Sequence, residues 1–356
     1  MSNFDKIFSG SKVLITGHTG FKGSWLSVWL KLLGAKLTGV SDRVGTDPSH
    51  YYSIVNIFDN DLKADIRNLD TLKEIIRKNK PEFIFHLAAQ PLVLDSYIDP
   101  YSTFTSNTLG TINLLESLRT YSEKCNVVII TSDKSYENLE FDRGYHEEDR
   151  IGGLDPYSGS KGAAELAIKS YFSSFFKENH NVKLAIARAG NVVGGGDWSS
   201  GRIVPDAIKA WQDSRPLVIR NPHSTRPWQH VLEPLNGYLL LAKFLKENKP
   251  INGEAFNFGP ITDQVFNVED VSKILKKFLI GFSYEINSRK SDAVYESTLL
   301  ALNIAKAKQN LDWSPRLSFE ETFKMTAEWY ENFYTAKPKN IHKFTINQIE
   351  NYSNCK

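Results

Sequence analysis

The chain of 356 residues is 41% hydrophobic and 24% charged, so it can bury a large core in one large or two closely joined domains. Its 43 basic and 41 acidic residues leave a formal charge of +2, which gives no basis for general attraction to nucleic acid or to an anionic membrane. Its two cysteines, Cys125 and Cys355, indicate a reducing compartment, no disulfide framework and no metal site.

Short runs rich in Val, Ile and Leu alternate with amphipathic segments in the first half of the chain, which predicts a parallel sheet covered on both faces. The predicted strands cover 12–16, 36–40, 83–88, 127–132 and 183–188. The predicted helices between them cover 22–33, 69–79, 104–121 and 157–177. The fold class is therefore α/β, with a doubly wound parallel sheet of the Rossmann type.

After Arg188 the chain becomes rich in Gly, Pro and Trp, which favours loops that build a substrate site. Further helices are predicted at 203–213, 231–247, 268–280 and 318–334. We expect a dinucleotide-binding domain over 1–190, with part of 231–255 packing back onto it. A smaller, interleaved α/β domain over 191–335 is expected to bind substrate, followed by a loosely held polar tail over 336–356.

No long apolar run is present at the N-terminus, and the longest one, 25–33, is interrupted by Lys31. We therefore expect a cytoplasmic protein.

The segment VLITGHTGFKGSWL places Gly17, Gly20 and Gly23 between a strand and a helix. Such a turn points backbone amides and the helix dipole at a pyrophosphate, which indicates dinucleotide binding. The acid that reads the adenine ribose is less well defined. Asp42 is the candidate and favours NAD, whereas the neighbouring Ser41 and Arg43 would tolerate the 2′-phosphate of NADP.

Polar side chains follow the predicted strand at 127–132, where open parallel sheets place their chemistry. Ser132, Asp133 and Lys134 lie there, and Tyr157 and Lys161 follow on a predicted helix. Tyrosine and lysine four residues apart share one helix face, so the ammonium is expected to lower the pKa of the phenol and make it a base. Together with the glycine turn, the pair predicts hydride chemistry on a nicotinamide.

The strings GHTGFKG, HLAAQPL, TSDK, DPYSGSK and RAGNVVGGGDW resemble those of the extended short-chain dehydrogenases/reductases, and within them the CDP-glucose 4,6-dehydratases. The likeness covers nearly the whole chain. It implies oxidation of CDP-glucose at C4, loss of water across C5 and C6, and hydride return to C6, in deoxysugar synthesis for surface polysaccharide. The resemblance also implies a homodimer or homotetramer joined through the helices near 104–121 and 157–177.

The resemblance assigns catalytic roles to five residues. Tyr157 would deprotonate the C4 hydroxyl, Lys161 would hold the ribose, and Ser132 would bond the C4 oxygen. Asp133 would be the acid for the C6 hydroxyl, which requires it to be protonated at neutral pH. Lys134 stands where many relatives carry a glutamate base, so either its neutral amine takes the C5 proton or its ammonium only polarises the ketone.

The resemblance implies two further sets of contacts. The residues expected to bind NAD, in preference to NADP, are Gly17, Thr19, Gly20, Phe21, Lys22, Gly23, Ser41, Asp42, Arg43, Asp65, Ile66, Leu87, Ala88, Ala89, Gln90, Asn107, Thr131, Tyr157 and Lys161. The residues expected to bind the nucleotide sugar are Gln90, Ser132, Asn191, Arg202, Ile203, Arg226, Asn257 and Glu296. Around Glu296, Tyr295 and Asn303 depart from the His and Asp of the family pattern.

The sequence leaves two alternatives open. The chain is either a related NAD(P)-dependent nucleotide-sugar epimerase or dehydratase, or a non-catalytic Rossmann protein that senses a dinucleotide. The Asp133-Lys134 dipeptide argues against the first, and an intact set of acid and base residues argues against the second.

Overall fold

The computed structural model describes residues 4–45, 47–54, 56–178, 181–261, 266–287, 300–335 and 338–355. In chain order, the strands β1 to β11 are Lys12–Thr16, Lys36–Ser41, Asn60–Lys63, Phe83–His86, Cys125–Ile130, Val182–Ala189, Val192–Val193, Leu217–Ile219, Gln229–His230, Ala255–Phe258 and Tyr284–Ile286. The helices α1 to α14 are Asp5–Phe8, Phe21–Leu32, His50–Ser53, Leu69–Asn79, Val93–Ile98, Pro100–Phe104, Gly110–Arg119, Pro156–Tyr171, Ile203–Gln212, Leu232–Lys246, Val268–Phe278, Ala305–Leu311, Phe319–Thr335 and Pro338–Asn354. π-Helical turns at Thr105–Leu109 and Phe172–Phe176 adjoin α7 and α8.

The main sheet has seven parallel strands in the order β10-β6-β5-β4-β1-β2-β3. The chain moves outward from β1 through β2 to β3 and then resumes beside β1 at β4, so the direction of winding reverses between β1 and β4. Ligands of doubly wound sheets bind at this point, outside the carboxyl ends of the strands. The predicted Rossmann fold is confirmed.

Alternating side chains of β1 enter two separate cores, as the two-residue period of a strand requires. Val13 and Ile15 face the core that contains α2 and α10, whereas Leu14 faces the core that contains α4, α7 and α8. Both faces of the sheet are therefore covered by helices, which explains why the central strands are apolar throughout.

The second half of the chain both extends this sheet and builds a region beside it. Helix α10 packs on β5 and β6, and β10 pairs with β6 along the edge of the sheet. Two small parallel sheets, β8 with β11 and β7 with β9, lie outside it. The exact boundary between the two predicted domains stays a prediction.

The C-terminal segment differs from the expected loose tail. Residues Pro338–Asn354 form α14, which packs against α13 and α2. Ile341, Ile349 and Tyr352 lie on the buried side of this helix and are at most 1% exposed. Many Asn and Lys residues between these apolar positions hide their helical spacing in the sequence.

Among the described residues, no helix is long and apolar enough to cross a membrane. The same residues contain no group of three His, Cys, Asp or Glu side chains placed to hold a metal ion. Cys125 is buried at the start of β5 and Cys355 is exposed, and both are free thiols.

Candidate active site

The glycine turn after β1 requires glycine at two of its positions. Gly17 has a φ of +73°, and a Cβ there would lie 2.7 Å from the backbone nitrogen of Ala88. A Cβ on Gly23 would lie 2.2 Å from the carbonyl oxygen of Gly17. The turn can therefore close tightly between β4 and α2 only because these residues have no side chain.

The residues of the glycine turn and of the start of α2 fit the pyrophosphate of a dinucleotide. Helix α2 begins at Phe21 directly after the turn, and Gly20 caps it with its backbone alone, without a side-chain hydrogen bond. The first-turn amides of a helix have no partner within that helix, and the helix dipole makes this end attractive to anions. Gly20 itself is exposed, so the cradle is open to a pyrophosphate.

The predicted adenine-ribose residues lie together at the ends of β2 and β3. The Thr19 hydroxyl lies 2.8 Å from the Ser41 hydroxyl and donates to the carbonyl of Arg43 at 2.6 Å. The exposed Asp42 follows Ser41. The Arg67 guanidinium lies 2.6 Å from the carboxylate of Asp65 and holds the pKa of that carboxyl below its usual range.

Ile66 does not present its side chain to this edge. It is 6% exposed and packs in the core that contains α4, α7 and α8. A Cβ on Gly110 would lie 2.4 Å from its Cδ1 atom. The side chain of Ile66 therefore has a packing role, and the expected contact of this residue with NAD stays a prediction.

The segment after β4 is fixed by amide side chains. Asn107 accepts from the Gln90 backbone amide at 2.8 Å and donates to its carbonyl at 3.1 Å and to the Ser160 hydroxyl at 2.9 Å. The amide of Gln90 donates to the carbonyl of Leu92 and to the hydroxyl of Thr103. Both side chains therefore hold the loop that begins with Leu87, Ala88 and Ala89, and their amide groups are engaged within the protein.

The polar residues after β5 form a compact centre. Ser132 and Asp133 are buried, and Ser132 donates to Oδ1 of Asp133 at 3.0 Å. The side chain of Lys134 is 28% exposed, and its ammonium lies 3.7 Å from the same oxygen. Oδ2 of Asp133 is buried and has no hydrogen-bond partner among the described residues. A buried carboxylate oxygen without a partner is costly in a folded protein, which indicates a group that awaits a ligand.

Helix α8 presents Tyr157 and Lys161 to this centre. Pro156 starts the helix, and the carboxylate of Asp155 caps it by accepting from the Ser158 amide at 3.0 Å. The Tyr157 hydroxyl lies close enough to Ser132 for that side chain to lower its pKa, so the structure brings together the predicted catalytic residues of the strand end and of the helix.

The electrostatics of the pair differ from the expectation. Burial raises the pKa of Tyr157, and the groups that oppose this rise are Ser132 and Arg202 rather than Lys161. Burial lowers the pKa of Lys161 to about 8, although Glu165 acts in the opposite direction. Desolvation therefore dominates both groups, which sequence spacing alone does not reveal.

A buried ion pair behind the centre was not predicted. Arg188, at the end of β6, forms a bidentate pair with Glu165, one turn after Lys161. Glu165 also accepts from the hydroxyls of Thr131 at 2.6 Å and Ser135 at 3.0 Å. The pair thus fixes the strand end on α8. An arginine at the end of an apolar strand was the available sequence signal.

The predicted substrate residues fall into separate groups. Arg202 precedes α9, which begins at Ile203, and it pairs with Asp197 at 3.0 Å while acting electrostatically on Tyr157. Asn191 follows β6, and its carbonyl accepts from the Gln229 amide at 3.0 Å. Arg226 is half-buried and donates to the carbonyl of Thr225 at 2.7 Å.

Asn257 and Glu296 are the other two residues of the second half that were predicted to bind substrate. Asn257 is fully buried, donates to the carbonyls of Tyr145 and Asn303, and accepts from the Tyr136 hydroxyl. All of its side-chain bonds are internal, so the structure favours a packing role over the predicted substrate contact. Glu296 lies outside the described residues.

Residues 14–326 match the family model described as GDP-mannose 4,6 dehydratase. CDP-glucose 4,6-dehydratase of Salmonella typhimurium is 42% identical over 337 residues, which cover 92% of each chain.

Solved structures share the fold. An epimerase from Methanothermobacter thermautotrophicus is 24% identical, with a TM-score of 0.80 over 96% of this chain and 97% of that one. A dTDP-glucose 4,6-dehydratase from Bacillus anthracis, solved in complex with NAD, is 21% identical, with a TM-score of 0.73 over 91% of this chain and 97% of that one.

Proposed function

Because the chain belongs to the GDP-mannose 4,6 dehydratase family, we propose that it is a nucleotide-sugar hydro-lyase that converts CDP-glucose to CDP-4-dehydro-6-deoxy-D-glucose and water. One observation carries the proposal. Ser132 contacts both Tyr157 and Asp133, so a base for an alcohol and a buried carboxyl group meet at one hydroxyl. An epimerase needs the first of these groups but has no water to expel. The choice of cytidine rests on the Salmonella typhimurium relative.

The chain's own residues fit NAD as cofactor. The amides at the start of α2 would hold the pyrophosphate, and Lys161 would hold the nicotinamide ribose. The carboxylates of Asp42 and Asp65 flank the adenine-ribose end, and Asp65 already engages Arg67. A 2′-phosphate would meet both carboxylates, which supports NAD over NADP. When bound, NAD accepts the C4 hydride and returns it to C6.

Tyr157 acts first in the proposed mechanism. Its phenolate takes the proton of the C4 hydroxyl, while Ser132 donates a hydrogen bond to the C4 oxygen and Lys161 would hold the nicotinamide ribose. Arg202 and Ser132 oppose the effect of burial on the pKa of Tyr157, so both favour the ionised phenol that this step needs.

Asp133 and Lys134 act as the acid and the base in the elimination of water across C5 and C6. Transfer of one proton from the ammonium of Lys134 to the carboxylate of Asp133, 3.7 Å away, yields a neutral amine and a carboxylic acid together. The amine removes the C5 proton, and the acid protonates the C6 hydroxyl, which leaves as water. Lys134 then returns its proton to C5. Tyr157 passes the original C4 proton through Ser132 and Asp133 to Lys134, which restores the phenolate, the carboxylate and the ammonium.

A second copy of this chain is the proposed partner. Leu109, Leu166 and Phe175, on or beside α7 and α8, are 42%, 58% and 47% exposed. Apolar side chains grouped on adjacent helices mark a docking face. A homodimer through these helices agrees with the expectation from the sequence, and a tetramer would require a second interface. The cytoplasmic location expected from the sequence stays a prediction.

The test is turnover of a panel of nucleotide sugars. We expect CDP-glucose to give the alkali-induced absorbance of a 4-keto-6-deoxy sugar, at a kcat/KM at least about tenfold above that for dTDP-glucose, UDP-glucose or GDP-mannose. A signal only with another sugar nucleotide would reject cytidine specificity, and no signal with any would reject dehydratase activity.

A further inference from the structure

Glu165 is a buried carboxylate behind the catalytic centre that the proposed mechanism does not use. It lies on α8, one turn after Lys161, and is 3% exposed. It forms a bidentate pair with Arg188, which is 4% exposed and also donates to the hydroxyl of Tyr136 at 2.7 Å. Burying two charges is costly unless further hydrogen bonds satisfy the pair. The other bonds of Glu165 therefore show what this pair holds in place.

Two hydroxyl groups that contact Glu165 flank the catalytic tripeptide 132–134. Thr131, directly before the tripeptide, donates to Oε1 of Glu165 at 2.6 Å. The hydroxyl of Ser135, directly after it, lies 3.0 Å from the same oxygen and 2.6 Å from the carbonyl oxygen of Ser132. One carboxylate oxygen therefore holds the chain on both sides of the residues that act on the sugar.

The two contacts do not contribute equally to the position of the chain. The strand already holds Thr131, because its amide donates to the carbonyl of Ala187 at 2.9 Å. Ser135 instead ends the single 3₁₀ turn Asp133–Ser135, which carries the proposed acid and base of the elimination. A turn of this kind has poor hydrogen-bond geometry and little stability of its own. The contact with Glu165 therefore matters more for the turn than for the strand.

We propose that Glu165 is a positioning residue for the elimination of water. Through the hydroxyl of Ser135 it holds the turn that carries the acid and the base on α8, the helix that also presents Tyr157 to the centre. The groups that eliminate water thereby keep a fixed position relative to the group that starts the oxidation. The inference rests on the proposed function, because it assigns two successive steps to one centre.

Glu165 has a second route by which it could act on the reaction. Its carboxylate opposes the effect of burial on the pKa of Lys161, the residue that would hold the nicotinamide ribose. An effect by this route would appear in cofactor binding or in the oxidation at C4. An effect through Ser135 would appear only after the oxidation, when the ketone has formed and water must leave. The step that slows therefore distinguishes the two routes.

Single-turnover mixing of the NAD-saturated protein with CDP-glucose separates these steps, because reduced cofactor forms on oxidation and is consumed when the hydride returns to C6. The variants are Glu165→Gln, which removes the charge, and Ser135→Ala, which removes only the hydroxyl. We expect both to form reduced cofactor within about threefold of the wild-type rate, but to consume it at least about tenfold more slowly. Reduced cofactor should therefore accumulate, as its absorbance reports.

Glu233→Gln and Ser272→Ala are the matched controls. Glu233, on α10, is 1% exposed and accepts from two backbone amides and from the hydroxyl of Tyr352. Ser272, on α11, is fully buried and donates to the carbonyl of Val268 at 3.1 Å. Each change disturbs a buried hydrogen bond outside the catalytic centre, so we expect a lower Tm without slower consumption of reduced cofactor.

Three results would overturn the proposal. Consumption of reduced cofactor at the wild-type rate in Ser135→Ala would show that this contact does not position the turn, and this variant decides the test alone if Glu165→Gln fails to fold. Weaker NAD binding or slower oxidation in both variants would assign the effect to Lys161. Equally slow consumption in the two controls would reduce it to a loss of stability. A wild type that forms no dehydrated product from CDP-glucose would instead reject the proposed function.

Discussion

Ser132 joins the two halves of the catalytic centre, because its hydroxyl contacts both Tyr157 and a carboxylate oxygen of Asp133. The spacing of these residues in the sequence indicated that they meet, since the strand end and the helix start adjoin in this fold. It did not indicate that Glu165 and Arg188 pair with each other and fix the strand end on α8. Their pairing depends on the register of α8 on β6, and only tertiary structure determines that register.

The proposed role of Lys134 as a base predicts how its substitutions behave. Lys134→Arg keeps the cation but cannot give up its proton, so we expect turnover to fall by about 10²-fold or more while C4 oxidation continues. Reduced cofactor should then accumulate, which its absorbance reports in a single-turnover experiment. Lys308→Arg, at an exposed position on α12, is the matched control. If Lys134→Arg stayed within about tenfold of the wild type while Lys134→Gln did not, the side chain would act as a cation instead.

The roles of buried amide side chains could not be predicted from the sequence. Asn257 and Gln90 were expected to contact ligands, but their amides are engaged within the protein. A buried amide must satisfy its donors and acceptors, and a sequence does not tell whether a ligand or the backbone does so. The acid, base and glycine positions were more predictable, because few other roles require those residues at those spacings.

At the scale of elements, the longer helices of the first half and the strands β1, β2, β4, β5 and β6 were predictable because each carries its own apolar period, whereas the short helices α1, α3, α5 and α6 were not predicted. Strand β3, Asn60–Lys63, was not, since only Leu62 is apolar and the strand is defined by its pairing with β2. Helix α14 was not predicted for a similar reason. Its few apolar residues are separated by polar ones, and the helical pattern becomes evident only when they pack against α2 and α13.

The junction of β1 with α2 gives a test at this scale. Gly23→Ala places a methyl group 2.2 Å from the carbonyl oxygen of Gly17, so the turn must open. We expect loss of dinucleotide binding and a destabilisation of about 1–3 kcal/mol or more, measured by titration and by denaturant unfolding. Gly45→Ala is the control, because its added methyl meets nothing within 4 Å. Unchanged NAD affinity in Gly23→Ala would show that the turn does not form the pyrophosphate site.

At the scale of the whole molecule, the catalytic centre is assembled from both halves of the chain. Tyr157 and Asp133 come from the first half, whereas Arg202 and Tyr238 come from the second. Because α10 packs back onto the central strands, the second half is held on the sheet that carries the chemistry. The sequence predicted that part of 231–255 packs back onto the first half. It did not predict which side chains of the second half lie at the catalytic centre.

The face formed by α7 and α8 predicts the assembly state. Leu166→Glu places a charge among exposed apolar side chains, so we expect the dimer to dissociate, with the mass measured by light scattering after gel filtration. Ile280→Glu, at an exposed residue just after α11, should leave the mass unchanged. A Leu166→Glu protein that keeps the mass of the wild type, or a monomeric wild type, would rule out this face as the interface.

Transfer of a label within the sugar tests the proposed reaction most directly. The protein would be mixed with NAD and CDP-glucose carrying deuterium at C4, and the product would be followed by NMR spectroscopy. We expect CDP-4-keto-6-deoxyglucose with the deuterium at C6, because the hydride taken from C4 is returned within the same site. Recovery of labelled CDP-glucose or its C4 epimer without loss of water, or no reaction at all, would contradict a 4,6-dehydratase.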